Sequence, residues 1–174
     1  FLLKEREEGR IRHLGFSYHG DIRAFDYLLS KHDEYKWDFV LIQLNYVDWK
    51  HAKQINPRNT NAEYLYGELE KRGIQAFVME PLLGGALASL NDHATQLLHQ
   101  KEPEASTASW AFRFAGSKPK ILTVLSGMTY MEHLQDNIRT CSPLKEWTEE
   151  EYALLEEIAD IYVNFPIIPC TSCQ

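Results

Sequence analysis

Apolar positions along the chain fall into two alternating rhythms. Residues 11–17, 38–44, 74–80 and 121–126 are short runs dense in β-branched and apolar side chains. Phe39-Val40-Leu41-Ile42 is apolar on both faces, as a parallel strand covered by helices requires. Between these runs the apolar residues stand three and four apart. Ile22, Phe25, Leu28 and Leu29 predict a helix capped by Asp21; Leu65 and Leu69 predict another, opening at Thr60 or Asn61 and stopping at Gly73. Residues 87–90 and 94–98 read as short helical pieces, and 106–115 as a longer helix ending at Gly116. Thr129 with Glu132, and Thr148 with Glu151, each fit a capping box. The second opens a helix with Tyr152, Leu155, Ile158, Ala159 and Tyr162 on its buried stripe. Residues 2–9 read as the last turns of a helix ending at a glycine, and with no initiator Met the chain is expected to be a fragment.

The alternation is βαβαβαβα plus one extra helix, which implies right-handed crossovers and a parallel α/β sheet. Two arrangements fit: an open doubly wound sheet, and part of a (β/α)8 barrel. No G-x-G-x-x-G follows the first strand, which weakens the dinucleotide-binding version of the open sheet. Four strands do not close a barrel, which takes eight.

Charge removes one class of partner. Across 174 residues, 18 Lys and Arg face 25 Asp and Glu, a net charge of −7, and the short basic groups at Lys71-Arg72 and at Lys118 and Lys120 are isolated. No nucleic-acid surface is expected. No apolar run approaches the roughly 20 residues of a membrane helix, no signal-peptide pattern opens the chain, and the cysteines number three. The expectation is a soluble, cytoplasmic protein with no membrane partner. The histidines show no metal-binding spacing. His13 is expected inside the first strand as a core residue, Cys141 as a half-buried thiol, and Glu149, Glu150 and Glu151 as a solvated first turn; Trp37, Trp49, Trp110 and Trp147 share no face.

In parallel α/β proteins chemistry collects at the carboxyl ends of the strands. Ser17, Gln43 and Asn45 are polar groups ending apolar runs, placed to bond a ligand or to cap neighbouring backbone. Gly84-Gly85, after the third run, suits a turn. Ser126-Gly127-Met128 lead into a helix N-terminus, where the dipole and free N–H groups favour an anion. Asn137 reads as a polar residue late in its helix.

Four segments in order carry a family resemblance: Arg12-His13-Leu14-Gly15-Phe16-Ser17; Gln43 with Leu44-Asn45-Tyr46; Met79-Glu80-Pro81-Leu82-Leu83-Gly84-Gly85; and Ser126-Gly127-Met128 with the run from Glu132 to Asn137. Together they resemble the second half of an aldo-keto reductase, most closely the bacterial branch with a ferredoxin-like C-terminal extension. The resemblance implies the C-terminal half, about four βα units, of a (β/α)8 TIM barrel over residues 1–147. Residues 148–174 would then form a C-terminal helix and the start of a cysteine motif.

The implied activity is carbonyl reduction by hydride transfer from NADP or NAD to a small carbonyl substrate. By the same resemblance Ser17 and Gln43 hold the nicotinamide carboxamide, and an amide and a hydroxyl suit that group's C=O and NH2. Asn45 and Tyr46 would face the ring or the substrate. Met79 stands where the family has a stacking aromatic. Leu82, Leu83 and Gly84 lie along the pyrophosphate, Ser126, Gly127 and Met128 at the helix N-terminus, and Asn137 at adenine. Gly127 and His133 occupy the positions that carry Lys or Arg in NADP-preferring members, so NAD versus NADP stays open. The family's Asp, Tyr, Lys and His set comes from the other half of the barrel, and Tyr18, His19 and Tyr46 stand in the wrong order to replace it.

Cys170 and Cys173 form a C-x-x-C that suits a redox dithiol, half a zinc site, or the opening of an iron–sulfur motif. The resemblance favours the last, with a 4Fe-4S cluster only where further cysteines follow. An electron-transfer iron–sulfur protein built on the same barrel is the alternative function, and an unrelated α/β fragment the third. The two open strand edges are expected to pair, with a separate N-terminal half-barrel or with a second copy.

Overall fold

Parallel strands need long crossovers, and the apolar runs meet that requirement in sequence order. The computed structural model describes residues 1–165, so Cys170 and Cys173 lie outside the described residues. Strands β1 (Gly15–Ser17), β2 (Phe39–Gln43), β3 (Gln75–Met79) and β4 (Ile121–Val124) form one parallel sheet in the order β1-β2-β3-β4. Each crossover steps one place in the same direction. A doubly wound sheet reverses direction at a switch point, so this sheet is instead consistent with a partial (β/α) barrel.

The helices are α1 (Leu2–Glu7), α2 (Ile22–Ser30), α3 (His32–Tyr35), α4 (Tyr46–Ile55), α5 (Ala62–Lys71), α6 (Asp92–Lys101), α7 (Thr107–Gly116), α8 (Met131–Cys141) and α9 (Glu149–Asn164), with a 3-10 turn at Ala86–Ala88. Asp21 caps α2 by accepting from the Arg23 amide, and Thr148 and Glu151 close the expected capping box on α9. No described helix is long and apolar enough to cross a membrane.

Burial separates the two sides of the sheet. Val40, Ile42, Ala76 and Val78 are fully buried under the helices, joining Phe25, Leu29, Leu65, Leu69, Leu98 and Trp110 in one core. Helix α9 packs on α4 and α6 and adds Leu155, Ile158 and Ala159. On the opposite side the register aligns Ser17 with Leu41 and Phe77, and Gln43 with Met79. Among the described residues no helix covers this second face, and its side chains are partly buried or, at Ser17, exposed. Phe39 and Phe77 stack on it with ring centroids 4.6 Å apart. Gly15 makes that possible: a Cβ there would stand 2.3 Å from the Phe39 carbonyl oxygen and 2.7 Å from its ring.

Several sequence expectations are corrected. β1 is only three residues long, because the Leu14 amide donates to the Asp38 carboxylate at 2.8 Å instead of to a ladder. His13 is therefore outside the strand and exposed, 3.8 Å from Asp38. Helix α8 starts at Met131 with Tyr130 as N-cap, so the box of Thr129 and Glu132 does not form. Cys141 is exposed. Glu151 is buried and paired with Arg113 at 2.6 Å. Trp49, Trp110 and Trp147 converge on one cluster around Phe114 and Arg113, brought together from three separate elements.

Candidate functional site

Helix α4 was not foreseen, and it builds one wall of the site. The Asn45 side chain accepts from the amides of Val47 and Asp48, at 3.0 and 2.8 Å, and so caps the helix directly after β2. The apolar positions of α4 are few, while its cap signal overlaps the strand end. Asn45 is fully buried and Tyr46 nearly so, the latter packing edge-on to Phe114. Neither faces the open side, which corrects the expectation that they meet a ring or substrate. Burial raises the Tyr46 phenol well above its ordinary range.

The cap also gathers a buried polar group. Gln43 Nε2 and Asn45 Nδ2 both donate to Asp48 Oδ2, each at 2.6 Å, and Asn45 Nδ2 also donates to the Glu80 carbonyl at 3.0 Å. Asp48 is 1% exposed and its Oδ1 has no hydrogen-bond partner. Burial pushes its carboxyl up, while the bonds from Gln43 and Asn45 pull it back. Gln43 and Asp48 line a small cavity of about 60 Å³ with Tyr18, His19 and Thr60. Tyr18 is buried and its hydroxyl donates to the Gly20 carbonyl. Ser17 is exposed at the end of β1 on the same side of the sheet as Gln43.

The loops after β3 and β4 form the larger hollow. Met79, Leu82, Gly84, Ser126 and Gly127 line a cleft of about 520 Å³. It adjoins a second of about 520 Å³ lined by Leu82, Ser126, Gly127, Met128, His133 and Asn137. Eight of the eleven expected cofactor residues thus border one continuous depression. Ser17 and Gln43 stand apart from it along the sheet, with Gln43 next to Met79 in register. Leu83 packs against the core, with a left-handed φ of 50°.

The loop backbone is shaped for close approach. Gly84 and Gly85 have φ of 65° and 94°, the left-handed region that glycine alone enters freely. The Gly84 amide donates to the Glu80 carboxylate, which gives Glu80 a place the sequence left open. At the other end of the cleft α8 begins with no side-chain cap, and Glu132 and His133 of its first turn line the depression. Asn137 Nδ2 donates to Ser126 Oγ at 2.9 Å, joining the strand end to the helix. The Thr129 amide donates to His133 Nδ1 at 3.4 Å. Arg139 also lines the cleft, a cation that helical spacing alone did not point out.

A family model described as the aldo/keto reductase family matches residues 1–160. The chain belongs to that family. Solved structures similar to this chain carry the same fold. A thermostable aldo-keto reductase in complex with the inhibitor epalrestat is 20% identical, with a TM-score of 0.65, covering 90% of this chain and 52% of its own. A holo aldo-keto reductase from Bacillus halodurans is 16% identical, with a TM-score of 0.65, covering 90% and 53%. One from Klebsiella pneumoniae in complex with NADPH is 16% identical, with a TM-score of 0.65, covering 90% and 51%. The chain spans about half the length of the solved structures it matches. No curated protein sequence matches it. Among the described residues no group of three or more His, Cys, Asp or Glu is placed to hold a metal ion.

Proposed function

We propose that this aldo-keto reductase chain is the cofactor-holding, C-terminal half of a (β/α)8 barrel in an NAD(P)H-dependent carbonyl reductase. The carrying observation is the continuity of the cleft. It runs from Met79, beside Gln43 in the sheet, past Gly84 to the uncapped start of α8. Its dimensions suit a long anionic ligand, and its glycine amides and helix N-terminus suit phosphate oxygens.

In this reading Ser17 and Gln43 orient the nicotinamide carboxamide and Met79 lies against the ring. Leu82, Leu83 and Gly84 follow the pyrophosphate, Ser126, Gly127 and Met128 bring the helix N-terminus to it, and His133 and Asn137 border the adenosine. The bound cofactor supplies a hydride. The proton donor and its partners, the Asp, Tyr, Lys and His set, belong to the complementary half, so this chain by itself turns over no carbonyl. Residues 1–147 form the barrel portion; 148–174 add a helix that packs on it and the cysteine pair Cys170 and Cys173. The electron-transfer alternative rests on that pair alone. The place of action is the cytoplasm.

The test is calorimetric titration with NADP and NAD. Gln43→Ala is expected to weaken binding by about 1–2 kcal/mol, the value of a lost ligand hydrogen bond, and to leave adenosine diphosphate binding unchanged. Equal loss for both ligands would place the effect in folding and overturn the assignment.

A further inference from the structure

We infer that Asp48 is a positioning residue that fixes which end of the Gln43 amide meets a ligand, and so makes the site selective for a ring substituent that carries an NH2 donor. An amide side chain presents an NH2 at one end and a carbonyl oxygen at the other, and rotation by half a turn exchanges them. Asp48 Oδ2 receives Gln43 Nε2 at 2.6 Å. A rotated Gln43 would bring Oε1 against that carboxylate oxygen at the same separation, two acceptors in contact in a buried place.

Protonation does not release this lock. Asn45 Nδ2 also donates to Oδ2, at 2.6 Å, and Asn45 cannot rotate because its Oδ1 already accepts the Val47 and Asp48 amides. With two N–H groups directed at it, Oδ2 stays an acceptor. Any proton on Asp48 sits on Oδ1, the oxygen that has no partner. Gln43 therefore keeps Oε1 as the end available to a ligand in either state of Asp48. A carboxamide gives that oxygen an N–H; a methyl ketone of the same shape does not. The preference is one of unpaired acceptors and is larger than shape alone supplies.

This inference rests on the nicotinamide reading of Gln43, and the experiment separates the two. Dissociation constants are measured with the full chain for NADP and NAD, for their 3-acetylpyridine analogues, in which a methyl ketone replaces the carboxamide, and for adenosine diphosphoribose. The wild-type chain is expected to bind the carboxamide about tenfold more tightly than the ketone, the fold-change of one lost hydrogen bond. Asp48→Leu, which frees Gln43 to rotate and donate, should bring the ratio to within about twofold; Asp48→Asn, which keeps an acceptor oxygen, should retain it. A purely structural role would scale all ligands together and leave the ratio unmoved. A wild-type chain that binds ketone and carboxamide equally overturns the inference without need of any variant, as does an unchanged ratio in Asp48→Leu. Dinucleotide binding no tighter than that of adenosine diphosphoribose, or no binding, overturns the nicotinamide reading and this inference with it.

Discussion

The Arg113 guanidinium meets the Glu151 carboxylate at 2.6 Å in the seam between α7 and α9, with the Trp147 ring centroid 3.8 Å from the guanidinium carbon. Both residues are buried, and Lys145 adds a second cation at 3.2 Å from Glu151. Burial alone would raise the Glu151 carboxyl; the bonds from Arg113, the Thr148 amide and Lys145 outweigh it and hold the group at about 2. Removing one partner strands the other charge, which costs more than the pair itself contributes.

Glu151→Gln is therefore expected to lower unfolding stability by about 3 kcal/mol in urea titration at neutral pH. The pH dependence has a fixed sign. Glu151 binds its proton more weakly folded than unfolded, so its contribution is complete above its ordinary value of 4.5 and is lost as pH falls toward about 2. The variant should lack that component of the acid limb; an identical limb in both proteins would remove Glu151 as its source.

The Glu80 carboxylate on the Gly84 amide occupies one of the donors assigned to a pyrophosphate. An arriving anion competes with it for the N–H and meets its charge. Glu80→Ala should strengthen adenosine diphosphate binding by about threefold, less at high salt, since the group is exposed and screened. Weaker binding in the variant would mean that Glu80 shapes the loop for the ligand instead of opposing it.

Gly15→Ala should destabilise the fold by about 1–3 kcal/mol, because a Cβ has no room against the Phe39 carbonyl and ring. Gly127→Ala, with nothing within 4 Å of the added carbon, is the matched control and should change stability little. Equal thermal shifts in the two variants would count against the close approach at Gly15.

The purified chain should show no carbonyl reduction with NADPH or NADH above a Gln43→Ala control. A missing general acid alone removes roughly 10²- to 10⁴-fold in rate. Turnover clearly above that control would place a proton donor within these residues.

Leu122 on β4, Leu125 just after it, and Met131 and Ile138 on one stripe of α8 are exposed, and among the described residues β4 is an edge strand. Such an edge favours pairing. Sedimentation is expected to show association, and Leu122→Lys with Ile138→Lys should shift the chain toward monomer while leaving its helical circular dichroism intact. A wild-type chain that sediments as a compact monomer contradicts the expectation.

What the sequence determined is local. The four strand cores, the Asp21 cap, and the box of Thr148 and Glu151 were legible because period, cap chemistry and glycine stops act over a few neighbouring residues. The ordered segments around Ser17, Gln43, Met79 and Ser126 pointed to the family for the same reason. The misses share the opposite property. Helix α4 was hidden because Asn45 serves both as strand end and as helix cap, and its distant partner, the Glu80 carbonyl, lies 35 residues away at the end of β3. The shortness of β1 depended on Asp38, 24 residues from Leu14. Glu151 looked solvated until α7 brought Arg113, 38 residues away, against it. Sequence spacing fixes which groups share a helix face or strand face; only packing decides which far-separated donor meets which acceptor, because that choice is set by burial, where an unpaired polar group is costly. The one-directional strand order is of the same kind, a property of how crossovers stack and of no single residue.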